Sequence, residues 1–81
     1  MTVPDDNSLP EVLDVMGMAI PYPLYLTKKR MVQLEYGRTL TVLCDSPESA
    51  EESIPHYAAK MGYTIEKTKL PDRWEISLTK T

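Results

Sequence analysis

The sequence predicts an α/β fold of the α+β kind, a two-layer sandwich in the order β-α-β-α-β-β, with two helices on one face of a four-stranded mixed sheet. Three observations lead there. The chain has 81 residues, enough for one core; a domain this short buries only about 60% of the surface its unfolded form exposes. Up to Gly62, segments with the apolar period of a strand alternate with segments that have the period of a helix. The last third then holds two alternating segments joined by a turn, which read as a hairpin. A β-α-β unit near the front requires a parallel pair and the hairpin is antiparallel, so the sheet is mixed. Two helices can cover one face of four strands, which leaves the other bare.

Residues 1–10, with two prolines and the polar Asp5-Asp6-Asn7-Ser8 cluster, read as a flexible N-terminal tail, and residues 11–81 as the domain. Val12-Leu13-Asp14-Val15-Met16, closed by Gly17, reads as the first strand. Pro21 and Pro23 then head Leu24 to Tyr36, and proline is tolerated in a first helical turn because its missing N–H has no partner there to lose. Leu24, Met31 and Leu34, with Thr27 or Lys28 between them, make the inward stripe, and Gly37 supplies the stop. Thr39 to Cys44 is the second strand, with Leu40, Val42 and Cys44 on one face. Asp45 or Ser46 can cap a second helix that has Pro47 in its first turn and Glu48, Glu51 and Glu52 near its positive end. Pro55 predicts a kink or restart near Ile54. Ile54, Tyr57, Ala58 and Met61 form the inward stripe beyond it, up to Gly62. Tyr63 to Lys69 and Trp74 to Thr79 are the hairpin strands, turning through Leu70-Pro71-Asp72-Arg73.

The bulk chemistry excludes several classes of function. A net charge of −3 argues against a sequence-independent grip on phosphate backbones, which needs clustered Lys and Arg; nucleic acid is an unfavoured partner. One cysteine, Cys44, forms no intramolecular disulfide, and no Cys/His grouping has metal-ligand spacing, so neither a metal nor another cofactor is expected. No apolar run reaches the ~18 residues of a membrane span and the N-terminal residues do not resemble a signal peptide. The expectation is a soluble cytoplasmic protein with no membrane insertion.

Leu13-Asp14-x-x-Gly17-Met18-x-Ile20-Pro21-x-Pro23-Leu24 resembles the signature of the TusA/SirA-like sulfur-carrier proteins: leucine-aspartate, glycine, an apolar residue, then cysteine-proline-x-proline-leucine. Gly37-x-x-Leu40-x-Val42, Asp45-x-Pro47, Ile54-Pro55 and Gly62-Tyr63-x-Ile65 resemble the family's later landmarks, so the likeness runs from about Leu13 to Lys80. It implies the sandwich already described, a carrier rather than an enzyme, and a persulfide held on the family cysteine, whose thiolate the helix N-terminus stabilises. Here that position is Ile20, which can neither ionise nor accept sulfur. Two smaller departures are a stretch between Pro47 and Ile54 one residue longer than the family spacing, and Ser53 where the family tends to have aspartate.

No catalytic residue is therefore expected, and the motif residues Ile20, Pro21 and Pro23 read as a rigid corner without its reactive atom. Cys44 is the alternative sulfur acceptor; its place beside Leu40 and Val42 favours a small, inert core residue. His56 has no partner at metal-ligand spacing. Tyr22 and Tyr25 flank the corner, either as docking anchors or as local groove fillers. Lys28, Lys29 and Arg30 are either a solvated face or a dock for an acidic partner. The leading reading is a binding or regulatory module in sulfur trafficking that docks a protein partner, such as a sulfurtransferase, a DsrE-like protein or the cytosolic face of a sulfur transporter. A working carrier using Cys44 and a small nucleic-acid-binding domain are the alternatives.

Overall fold

The structure is a computed structural model and describes residues 11–81; the flexible tail expected for residues 1–10 lies outside them. The elements follow the expected order: β1 (Glu11–Asp14), α1 (Tyr22–Gln33), β2 (Thr39–Cys44), a π-helical turn (Ser49–Ser53) running into α2 (Ile54–Met61), β3 (Thr64–Lys69) and β4 (Trp74–Thr79). The sheet order is β1-β2-β4-β3. β1 runs parallel to β2, with Leu13 opposite Val42, and the other two pairings are antiparallel, so the sheet is mixed.

The alternation of β2 and β4 builds the core. Leu40, Val42 and Cys44 lie opposite Leu78, Ile76 and Trp74 and are buried with them under the helices. Val15, Met31, Ile54, Tyr57, Ala58 and Tyr63 complete the cluster. The bare face carries hydroxyls instead: Thr39 and Thr79 share a 2.9 Å hydrogen bond, and Thr41 and Ser77 one of 3.3 Å. Cross-strand hydroxyl pairs let that face stay exposed without an apolar cover.

The two helices depart from expectation at identifiable places. β1 ends at Asp14, not Met16, because the Asp14 carboxylate accepts the Met16 N–H at 2.9 Å and starts the turn. α1 begins at Tyr22, with Pro23 in its first turn, and ends at Gln33 rather than running to Tyr36. The reason lies at the other end of the chain. The Lys80 ammonium donates to the carbonyls of Leu34 (2.8 Å), Met31 (3.0 Å) and Val32 (3.4 Å). A side chain thus satisfies the helix's orphan acceptors, and Gly37, four residues beyond Gln33, is not needed as a cap. On α1 the buried stripe is Pro23, Thr27 and Met31, with Leu34 just beyond; Leu24 is half-buried. Thr27 fits there because its hydroxyl donates to the Pro23 carbonyl at 2.7 Å.

The restart expected near Ile54 is the π turn, closed by the Ile54 N–H on the Ser49 carbonyl. A π turn holds one more residue than an α turn. Such a turn can absorb the longer spacing that the resemblance implies between Pro47 and Ile54, and Ala50 and Ile54 both still reach the core. Glu51 fastens the turn to the sheet: it accepts the Trp74 indole N–H at 2.8 Å and the Lys67 ammonium at 2.7 Å. α2 closes on Gly62, whose φ of 79° is the left-handed conformation that glycine adopts freely, with Tyr63 N–H on the Ala58 carbonyl at 2.9 Å. Met61 was expected inward and is exposed: Tyr63, beyond the glycine, turns back and packs edge-on against Tyr57, ring centroids 5.8 Å apart, so the aromatic pair fills that end of the core.

Candidate functional site

The corner between β1 and α1 is held by two carboxylates. Asp14 takes the Met16 N–H, and both oxygens of Asp45, just past β2, take the Gly17 N–H at 3.0 and 3.1 Å. Gly17 has φ of 75°, which admits the tight turn that a Cβ would strain. Parallel pairing brings the ends of β1 and β2 together, and Val15 N–H extends the ladder onto the Leu43 carbonyl at 2.9 Å. The loop from Gly17 to Ile20 is therefore tied at its base, and it delivers the chain to the head of α1 through a cis Ile20–Pro21 peptide bond. Tyr22 N–H closes on the Ala19 carbonyl at 2.9 Å, and Tyr25 N–H on Pro21 at 3.0 Å.

Ile20 sits at this head, half in solvent at 49% exposure, and Met18, two residues earlier, is also exposed. Pro21 is exposed and Pro23 is buried against the sheet, so the two prolines divide the work: one meets solvent and one anchors the helix. Tyr22 and Tyr25 are exposed at 57% and 56%. The corner presents hydrocarbon and phenol rings, and no thiol.

Cys44 is fully buried. Its thiol donates to the Ser46 carbonyl at 3.6 Å and its sulfur accepts the Ser46 N–H at 3.4 Å. Burial pushes the thiol pKa up; the Ser46 backbone contact opposes this only in part, and the Asp45 charge adds to it. A thiol held neutral inside a core is a poor nucleophile.

The three basic residues of α1 do not act as one patch. Arg30 turns toward β1 and pairs with Glu11. Lys28 lies with its ammonium 5.6 Å from the centre of the Tyr57 ring. Lys28 and Lys29 join Tyr25, Val32 and Gln33 around an open groove of about 480 Å³ along the outer side of α1. Val32, exposed at 70%, was not singled out in the sequence, although it lies seven residues from Tyr25 and so two turns along the same face. His56 is exposed, and Trp74 is a core residue with its indole N–H on Glu51.

Asp45, Glu51 and Lys80 are the structural supports that sequence reasoning passed over. Of the two caps expected for the second helix, Asp45 or Ser46, it is Ser46 that does the work, its hydroxyl accepting the Ser49 N–H at 3.4 Å, while Asp45 reaches back to the corner. Lys80 was legible in principle, since Trp74, Ile76, Leu78 and Lys80 follow the period of two on the buried face.

The family model described as "Sulfurtransferase TusA" matches residues 11–80. "Putative sulfur carrier protein YedF" of Escherichia coli strain K12 is 40% identical over 60 residues, covering 73% of this chain and 77% of that protein. "Sulfur carrier protein TusA" of Buchnera aphidicola is 35% identical over 72 residues, covering 89% and 84%. Among solved structures, that of a SirA-like protein from Desulfitobacterium hafniense superposes with a TM-score of 0.76 at 30% identity, covering 84% of this chain and 93% of that one. With the sandwich, the tied corner and the Pro-x-Pro helix head in place, these matches establish that the chain belongs to the TusA family of sulfur-carrier proteins.

Proposed function

We propose that this chain is a TusA-family binding module that docks a protein of the sulfur relay and carries no sulfur itself. One observation carries the reading: Ile20 occupies the exposed head of α1 where the family signature has its cysteine, while the chain's one thiol is sealed in the core. A persulfide forms when a thiolate attacks the terminal sulfur of a donor persulfide, and position 20 supplies no electron pair for that step. The reading is of a docking role rather than an enzymatic one. Tyr22, Tyr25, Lys28 and Lys29 supply what a docking face needs, exposed rings for anchoring and cations for steering, on a chain whose net charge is −3. Among the described residues no helix is long and apolar enough to cross a membrane.

Calorimetric titration against a cysteine desulfurase, alone and saturated with a thiol-bearing TusA-type carrier, tests the reading. Direct binding that the carrier displaces is expected. Tyr22→Ala should speed dissociation, and Lys28→Glu/Lys29→Glu should slow association and flatten its salt dependence. Binding that is indifferent to both variants and to the carrier would place the interface elsewhere, with the bare sheet face as the next surface to test.

A further inference from the structure

The outer face of α1 has a shape that the corner alone does not explain. Tyr25, Lys28, Lys29 and Val32 stand at i, i+3, i+4 and i+7, and these four residues line the open groove together with Gln33. At 3.6 residues per turn, that spacing makes a diamond: Tyr25 and Val32 lie about 10 Å apart along the axis, with one lysine on each side between them. Four such residues are the hole that receives a single knob side chain from a facing helix in knobs-into-holes packing. The buried stripe of Pro23, Thr27 and Met31 is on the opposite side, facing the sheet, so the hole is not used within the described residues. Both apolar corners are strongly exposed, Tyr25 at 56% and Val32 at 70%.

The charges specify the occupant further. Lys29 has no carboxylate partner among the described residues, and Lys28 faces only the Tyr57 ring. An aliphatic knob entering this hole brings the side chains that flank it on its own helix next to both ammonium groups. Carboxylates there would be paired, whereas lysines there would be repelled. An extended strand would find no free backbone ladder on a helix surface to pair with, and it presents side chains at a period of two, which does not match the diamond.

We infer that the groove on α1 receives an acidic amphipathic α-helix of a partner protein, with one aliphatic side chain seated between Tyr25 and Val32 and carboxylates against Lys28 and Lys29. The inference rests on the reading of this chain as a docking module and names the partner element that the α1 face fits.

The test uses isotope-labelled protein and a synthetic three-heptad peptide with leucine at a and d and glutamate at e and g, which cannot pair with itself because its flanks repel. Amide shifts are expected at Tyr25, Lys28, Lys29, Val32 and Gln33, weakening as salt is raised. They should be lost with Val32→Asp and with Lys28→Glu/Lys29→Glu, and absent for the same peptide with lysine at e and g. Both variants alter exposed positions, and unchanged amide dispersion elsewhere would show that they are folded. Absence of binding, shifts centred outside α1, or equal binding of the lysine peptide would overturn the inference. So would concentration-dependent shifts of these residues without peptide, since a second copy would then be the occupant. No sulfur donor enters this test, so its failure is separate from failure of the desulfurase titration.

Discussion

At position 20 a branched hydrocarbon stands just ahead of α1, where the partial positive charge of a helix N-terminus favours a thiolate. Restoring the nucleophile with Ile20→Cys should give a thiol with a pKa below ~8.5, the free value, read from the pH dependence of alkylation. A value at or above that would mean the helix head no longer favours an anion. Cys44 should stay unreactive in the same experiment until the protein is unfolded, because its burial holds the thiol neutral. Lys80 offers a second residue-scale test. Lys80→Met keeps the apolar stem but leaves the carbonyls of Met31, Val32 and Leu34 without their donor. A loss of about 1–3 kcal/mol in urea unfolding is expected, the cost of buried acceptors left unpaired. Ile20 was legible directly, since a missing thiol is a matter of residue type. The period of two puts Lys80 on the buried face, but the three carbonyls it clamps were not legible, because they lie almost fifty positions away in sequence.

Among the elements, strands were easier to read than helix ends. The periods of β2 and β4 follow from sequence alone, since alternate residues must share a face. The end of α1 depends on Lys80, and the orientation of Met61 on the Tyr57–Tyr63 pair, so both required the tertiary structure. The extra residue before Ile54 was visible as a spacing, and its physical form, a π turn, was not. That form makes a prediction. Deleting the exposed Glu52 should let Ser49–Ser53 close as an ordinary α turn, with Ala50 and Ile54 still inward, and thermal unfolding should change little. Deleting the equally exposed His56 should instead rotate Tyr57 and Ala58 away from the core and unfold the protein. Equal tolerance of the two deletions, seen by circular dichroism, would show that the π turn is not what absorbs the extra residue.

The described residues form one small core under two helices, and the protein's resistance to alkali should reveal how tightly that core is closed. Burial, and then the neighbouring Tyr63, push the Tyr57 pKa up to about 12. The unfolded chain loses this proton near ~10, so between the two values the folded state binds more protons. Its stability is full below the lower value and falls as pH rises toward the upper one. Tyr57→Phe should flatten that loss over the same interval. Sequence reasoning reached the architecture and the corner; it reached the α1 groove only in part, since Lys28 and Lys29 stood out as charges but Val32 did not stand out as their neighbour. The central claim, that the family's scaffold is retained while sulfur transfer is lost, is tested most directly by intact mass after incubation with a persulfide-loaded cysteine desulfurase. The expected result is no added sulfur on this protein and one added sulfur, reversible by reductant, on Ile20→Cys. A reductant-sensitive sulfur on the unaltered protein, mapped to Cys44, would contradict it.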